Sequence, residues 1–116
     1  MDNRLKKRSD FDKVFKKGKR VYTKTFLFVY VPAKELKIGY SVSKKNGGAV
    51  VRNRIKRLLR AVMREFIPDI AGNYHIVVVP RVSEDYSFVC FMQDMKYALA
   101  KEKLIASKNP ESAEKV

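Results

Sequence analysis

From residue 51 to 66 the apolar positions Ile55, Leu58, Leu59, Val62 and Phe66 recur at i, i+3, i+4, i+7 and i+11. At ~100° per residue they share one sector of a helix, roughly 100° wide. Asn53, Lys56, Arg57, Arg60 and Arg64 fall in the opposite sector. The pattern predicts a helix over 51–66 with one side made for a core and a cationic side left over. Gly47 and Gly48 break the pattern before it, and Pro68 and Gly72 close it afterwards.

Other stretches alternate at period two. "TFLFVYV" predicts a strand over about 25–31, with a shorter one around 20–23. Phe26, Phe28 and Tyr30 share one face, and Leu27, Val29 and Val31 the other. Both faces are apolar, so both are expected to be covered. In "KIGYSVSK", Ile38, Tyr40 and Val42 alternate with a small, polar face of Gly39, Ser41 and Ser43, which suits close approach to the backbone. "YHIVVVP" is a continuous apolar run, as in a central strand. A helix between two of these strands suggests a parallel pair. Near the start, Phe11, Val14 and Phe15 form the stripe of a short helix, with Ser9 as cap, Asp10 and Asp12 in its first turn and Gly18 as its stop. A final helix is predicted over 87–104, capped by Ser83, Asp85 or Ser87. Its buried stripe is Phe88, Met92, Met95 and Leu99, widened by Phe91 and Ala98.

Charge changes this picture. The chain has 116 residues, which suits a single domain over 1–116 with a tail expected to fray from about residue 106. Its net charge is +14, from 26 Lys and Arg against 12 Asp and Glu. Residues 1–64 hold 20 of the basic residues and only four acids, Asp2, Asp10, Asp12 and Glu35. Self-repulsion of that size is relieved by a polyanionic partner. The basic helix lacks the interspersed glutamates that usually offset Lys and Arg at i, i+4, and it is rich in Arg, whose planar fork suits phosphate. It also adjoins a loop carrying Lys44 and Lys45. A solvated helix face is the plain alternative; nucleic acid accounts better for the missing acids. An anionic membrane fits poorly, because the apolar side of the helix is needed for the core. Phe11, Phe15, Phe28 and Tyr30 can stack on unpaired bases or can simply be core.

Protein-based catalysis has no visible constellation: no paired carboxylates in an apolar setting, no His/Cys pair and no metal-ligand spacing. Cys90 and His75 are single residues of their kind and read as structural. No apolar run is long enough to span a bilayer, and the charged N-terminus lacks the apolar segment of a signal peptide, so a cytoplasmic protein is expected. Neither a membrane partner nor a small-molecule substrate is expected.

The stretch "SVSKKNGGAVVRNRIKRLLR" resembles the signature of the bacterial ribonuclease P protein component, with its Arg-Asn-Arg run at Arg52, Asn53 and Arg54. "RLKKRSDFDKVFKKGKR" is similar to the first helix of that family and "IVVVPR" to its last strand. The resemblance implies an α/β (α+β) two-layer sandwich in the order αβββαβα, with a mixed sheet and a left-handed crossover. It implies a ribonucleoprotein endonuclease that removes the 5′ leader of precursor tRNA, in which the RNA subunit, with bound Mg2+, is the catalyst. Lys44, Lys45, Arg52, Asn53, Arg54, Lys56, Arg57 and Arg60 are then expected at the ribonuclease P RNA, and Arg64 extends the same face. The single-stranded leader is expected in a cleft between the first helix and the sheet, at Phe11, Phe15, Val29, Ser41 and Ser43. Val29 departs from the family, which often carries a tyrosine there. Tyr30 is one place along and should face the other way, so either a bulge offsets the strand or one stacking ring is lost. A ribosomal or general RNA-binding protein is the alternative reading.

Overall fold

The two most apolar runs of the sequence lie side by side at the centre of a four-stranded mixed sheet. The computed structural model describes residues 3–83 and 85–105; the tail expected to fray lies outside the described residues. The elements are α1 (Arg8–Lys17), β1 (Lys19–Tyr22), β2 (Phe26–Pro32), β3 (Lys37–Tyr40), α2 (Ala49–Phe66), β4 (Tyr74–Pro80) and α3 (Phe88–Lys101). Two 3₁₀ turns lie at Lys44–Asn46 and Ile67–Asp69. The strand order is β1-β2-β4-β3. β2 is antiparallel to β1 and β4, and β3 is parallel to β4 across α2. The order αβββαβα and the parallel pair agree with the sequence reading.

Alternation along the strands divides the core in two. Phe26, Phe28, Ile38, Ile76 and Val78 meet Ile55, Leu59, Val62, Met63 and Phe66 of α2 and Phe91, Met95, Ala98 and Leu99 of α3. On the opposite face Val29, Val31 and Val77 meet Val14 of α1 and Leu5. Helix α1 thus adds a partial third layer to the two-layer arrangement. Each large aliphatic or aromatic side chain so buried contributes ~1.5–3 kcal/mol against conformational entropy.

Several local expectations shift. Met63 joins the buried stripe of α2 and Leu58 sits at its edge, half-buried. On α3 the stripe is centred on Phe91 and Ala98, and Phe88 is 40% exposed. The rotation follows from Phe91, whose ring packs against both Phe26 and Tyr86 at centroid distances of 6.3 and 6.1 Å. Of the three candidate caps, Ser87 caps α3, its side chain accepting from Cys90 N–H.

Helix α1 begins at Arg8 with no side-chain cap, so Ser9 lies inside it and Asp10 is the acid of its first turn. The cause is upstream. Leu5 N–H donates to Ile38 O at 2.9 Å, and Ile38 N–H donates to Asn3 O at 2.6 Å. The N-terminal segment is pinned along the free edge of β3 and the chain turns into the helix directly. Gly18 ends α1 in extended backbone (φ −75°, ψ 155°), not in a left-handed cap. Glycine is needed there for proximity: a Cβ would clash with Val14 O and come within 2.6 Å of Val29 Cγ1.

The far end of α3 is tied to the sheet by a polar contact. Glu102, its side chain 6% exposed, pairs with Lys19 Nζ at 2.9 Å. Tyr30 Oη donates to Glu102 Oε1 at 2.6 Å. That hydrogen bond, followed by the one from Lys19, holds the Glu102 carboxyl below its ordinary pKa. Burial, reinforced by the bond to Glu102, pushes the Tyr30 phenol well up. A carboxylate with a depressed folded pKa stabilises fully above its unfolded value, ~4.3, and loses that contribution as pH falls through the folded value. Urea unfolding of the wild type and Glu102→Gln is therefore expected to show a stability gap at neutral pH that closes as pH drops below ~4. A gap that does not change with pH would contradict this role for the carboxylate.

Candidate nucleic-acid interface

Packing of the apolar stripe fixes the rotation of α2 and with it the direction of its cations. Asn53, Arg54, Arg57 and Arg64 are exposed; Arg52, Lys56 and Arg60 are half-buried. Among the described residues none of these cations pairs with a carboxylate; the ion pair seen is Lys19–Glu102 on the α3 side. The one acid of the helix, Glu65, is exposed near its end. Six cations thus share a helix of 18 residues, about 27 Å long at ~1.5 Å per residue. They form a positive ridge that no described carboxylate neutralises.

The loop before α2 extends this ridge through a buried amide. Asn46 is 7% exposed. Its Oδ1 accepts from Ser43 N–H at 3.0 Å, and its Nδ2 donates to Tyr86 Oη at 3.0 Å and to Pro80 O and Arg81 O at 3.3 Å. Ser43 Oγ in turn accepts from Lys45 N–H. This reciprocal cap closes the 3₁₀ turn and ties it to the end of β4. It also explains why β3 stops at Tyr40: the cap draws Ser41–Ser43 away from the sheet. Ser41 keeps one bond, its N–H donating to Val78 O at 2.9 Å. Gly47, at φ +138°, makes the bend that an L side chain would strain. The result holds Lys44 and Lys45 exposed at the start of the ridge.

The α1 face of the sheet holds the second group of expected residues. Arg20, Val29, Val77 and Gly39 line up across the four strands and lie under α1. A Cβ on Gly39 would come within 2.6 Å of Phe11 Cε1, so the Phe11 ring rests on bare backbone. Val29 faces α1, as alternation requires, and is fully buried there. The register of β2 with both neighbours is unbroken, so no bulge offsets the strand and Tyr30 points to the opposite face. The next row is Tyr22, Leu27 and Val79, with Ser41 one residue beyond the Tyr40–Val78 pair. It is open: Leu27, Val79 and Ser41 are half-buried, and Tyr22 is 63% exposed. Phe11 and Phe15 flank this strip, half-buried. Arg20 Nη2 donates to Phe15 O at 2.8 Å and fixes the end of the helix beside it.

Ser43 stands outside the sheet as an exposed cap. Two residues were missed by sequence reasoning. Asn46 looked like one more loop residue; its signal was the Ser-x-x-Asn spacing of a reciprocal cap. Tyr22 lay in a strand too short for its alternation to be informative. Among the described residues no group of three His, Cys, Asp or Glu side chains converges. A hard divalent cation takes six or more oxygen ligands, or keeps its waters on one or two carboxylates, and the ridge offers only positive side chains. The residues of this interface do not fit a resident Mg2+.

An unneutralised helix ridge, a basic loop and a strip edged by aromatic rings on one small α+β scaffold define an RNA-binding protein. The comparisons with known proteins say which kind. The family model of Ribonuclease P matches residues 1–103. The ribonuclease P protein component of Bacillus velezensis is 37% identical over 105 residues, covering 88% of this chain and 90% of that protein. The one from Shouchella clausii is 36% identical over 109 residues, covering 90% and 89%. Among solved structures, the RNase P protein of Staphylococcus aureus superposes with a TM-score of 0.80 at 30% identity, covering 91% of this chain and all of that one. The RNase P protein from Thermotoga maritima gives 0.75 at 28%, covering 84% and 96%. The chain belongs to the ribonuclease P protein component family, RNA-binding subunits of a ribonucleoprotein that processes tRNA. The alternative of a ribosomal protein has no support among these matches.

Replacing Asn46 by Ala removes the acceptor of Ser43 N–H and the amide donor shared by Pro80 O, Arg81 O and Tyr86 Oη, the last of which keeps its bond from Ser83 N–H. A loss of ~1–3 kcal/mol is expected in thermal or urea unfolding, together with weaker RNA binding as Lys44 and Lys45 lose their fixed position.

Proposed function

We propose that this chain serves 5′ maturation of precursor tRNA by docking on the catalytic RNA of ribonuclease P through Lys44, Lys45, Arg52, Asn53, Arg54, Lys56, Arg57, Arg60 and Arg64. The observation that carries the proposal is the ridge of cations with no described carboxylate paired to it. Phosphates laid along such a ridge displace condensed counterions, so affinity falls steeply with salt. The chemistry belongs to the RNA and its Mg2+. The chain contributes binding, orientation and a lower repulsion between two polyanions in the cytoplasm.

The unpaired leader is assigned to the strip between α1 and the Ser43–Lys45 turn. Phe11 and Phe15 flank it, Leu27, Val79 and Ser41 form its floor, and Val29, in the adjacent row under α1, supports the helix beside it. Tyr22 supplies an exposed ring on the same face as Val29, one row away. It is the natural stacking partner in a chain that carries valine at position 29. The strip opens toward Lys44 and Lys45, so a strand lying on it can pass from stacking rings to cations without crossing a helix.

Reconstitution with a ribonuclease P RNA at low Mg2+ is expected to restore 5′ cleavage of precursor tRNA, with none by the protein alone. Arg52→Ala combined with Arg57→Ala should lower holoenzyme activity and reduce the slope of log affinity against log salt by up to about 2. An unchanged slope removes the ridge from the interface. Tyr22→Ala, at an exposed site, should weaken binding of leader-bearing precursor about tenfold, since one base–ring stack is worth ~1–3 kcal/mol. Binding of mature tRNA should not change; equal losses for both would contradict the strip assignment.

A further inference from the structure

The ridge of α2 ends in a pocket. Arg60 and Arg64, one turn apart on the helix, face the edge of β3 and the N-terminal segment pinned to it. Together with Asn3, Arg4, Ile38, Tyr40, Ile67 and Pro68 they enclose about 360 Å³. That is within the ~300–1,000 Å³ of ordinary small-ligand pockets. It lies on the opposite face of the sheet from the strip beside α1, because Ile38 and Tyr40 alternate with Gly39, on which Phe11 rests.

Three features of its lining point to one class of ligand. The first is an unmet donor: Arg60 Nε is buried and has no hydrogen-bond partner. Buried donors are almost always paired, so this one marks a place for an acceptor. The second is charge. Neither Arg60 nor Arg64 meets a carboxylate among the described residues, and two forked guanidiniums bind phosphate better than any neutral group. The third is an apolar wall made by Tyr40, Ile67 and Pro68, with the Tyr40 hydroxyl beside the two arginines. Burial pushes that phenol well above its ordinary pKa despite the two guanidiniums, so it stays a neutral O–H donor. Phosphate alone would leave the wall unused, and an uncharged aromatic would leave the arginines unused.

We propose that the pocket between the end of α2, the edge of β3 and the N-terminal segment binds a single nucleotide unit, phosphate on Arg60 and Arg64 and base against Tyr40, Ile67 and Pro68. The unit is either one nucleotide splayed from an RNA lying on the ridge or a free nucleoside monophosphate. The first source rests on the RNA-docking reading of α2; the pocket chemistry does not.

The test titrates the full chain with uridine 5′-monophosphate, uridine and inorganic phosphate, following the Arg60 Nε–H and Tyr40 ring resonances by NMR. The monophosphate is expected to shift both and to bind at least about tenfold more tightly than either half, a difference of ~1.4 kcal/mol. Arg64→Ala, at an exposed position, should weaken the monophosphate about tenfold while the remaining spectrum reports an intact fold. Tyr40→Ala should bring its affinity down to that of phosphate, and Tyr40→Phe should recover most of it. Equal binding of monophosphate and phosphate, or shifts spread evenly from Arg52 to Arg64, would overturn the proposal, whatever the salt slope of the Arg52 and Arg57 variants shows. A repeat with the ribonuclease P RNA bound separates the sources. Loss of monophosphate binding places an RNA nucleotide in the pocket, and retention assigns it to the free nucleotide.

Discussion

The cationic ridge of this chain depends on the burial of one side of one helix. Ile55, Leu59, Val62, Met63 and Phe66 lose nearly all their exposure to the sheet and α3. A helix has no independent choice of what its other side does. Once these residues are inside, the six cations of α2 fall on the remaining sides of the helix, crowded and with no described carboxylate paired to them. Their repulsion opposes folding; the apolar seam outweighs it, and a polyanion relieves it. Charge density is therefore tolerated because the core sets the rotation of the helix.

The sheet makes a similar use of its two faces. Toward α2 and α3 it is a wall of Phe26, Phe28, Ile76 and Val78. Toward α1 it is covered in the row of Val29, Val77 and Gly39 and at Val31, but a helix of 10 residues is too short to close the whole face. The row beside it stays half open, edged by Tyr22 at one end and by the Ser41–Lys45 segment at the other. Fixing that segment takes a buried amide, Asn46, with four polar partners. Polar groups at this depth are costly unless satisfied, and here their satisfaction immobilises two lysines where the open row meets the ridge.

Much of this could be read before any coordinates. Helix α2, its apolar side and its cationic side follow from spacing alone, since 18 residues with strong periodicity leave one rotation that buries Ile55, Leu59 and Val62 and turns the arginines away from the core. The central place of "YHIVVVP" follows from its having no polar face. Readings failed where a contact distant in sequence decided the outcome. Ser9 had the right chemistry for a cap, but the hydrogen bonds of Asn3 and Leu5 with Ile38 pinned the segment before it, and the helix starts two residues earlier, at Arg8. Phe88 had the right period, but Phe91 met Phe26 and Tyr86 and turned α3 away from it. Gly18 matched a left-handed stop, yet it is glycine because Val29 lies against it.

By itself, then, the sequence determined the elements, the partition of their faces and the identity of the basic ridge, because periodicity, charge and the Arg-Asn-Arg signature are local properties of a chain. Only tertiary structure decided which sheet row stays open, that Tyr22 edges it while Val29 is buried, that Asn46 anchors the basic turn and that Arg60 and Arg64 close a pocket with Tyr40. Each of these is a matter of register or of contact between segments 20 to 40 residues apart, as Asn46 with Tyr86 and Tyr40 with Arg60 illustrate. Register and packing angle are set by the sum of all contacts across the sheet, and no local pattern contains that sum.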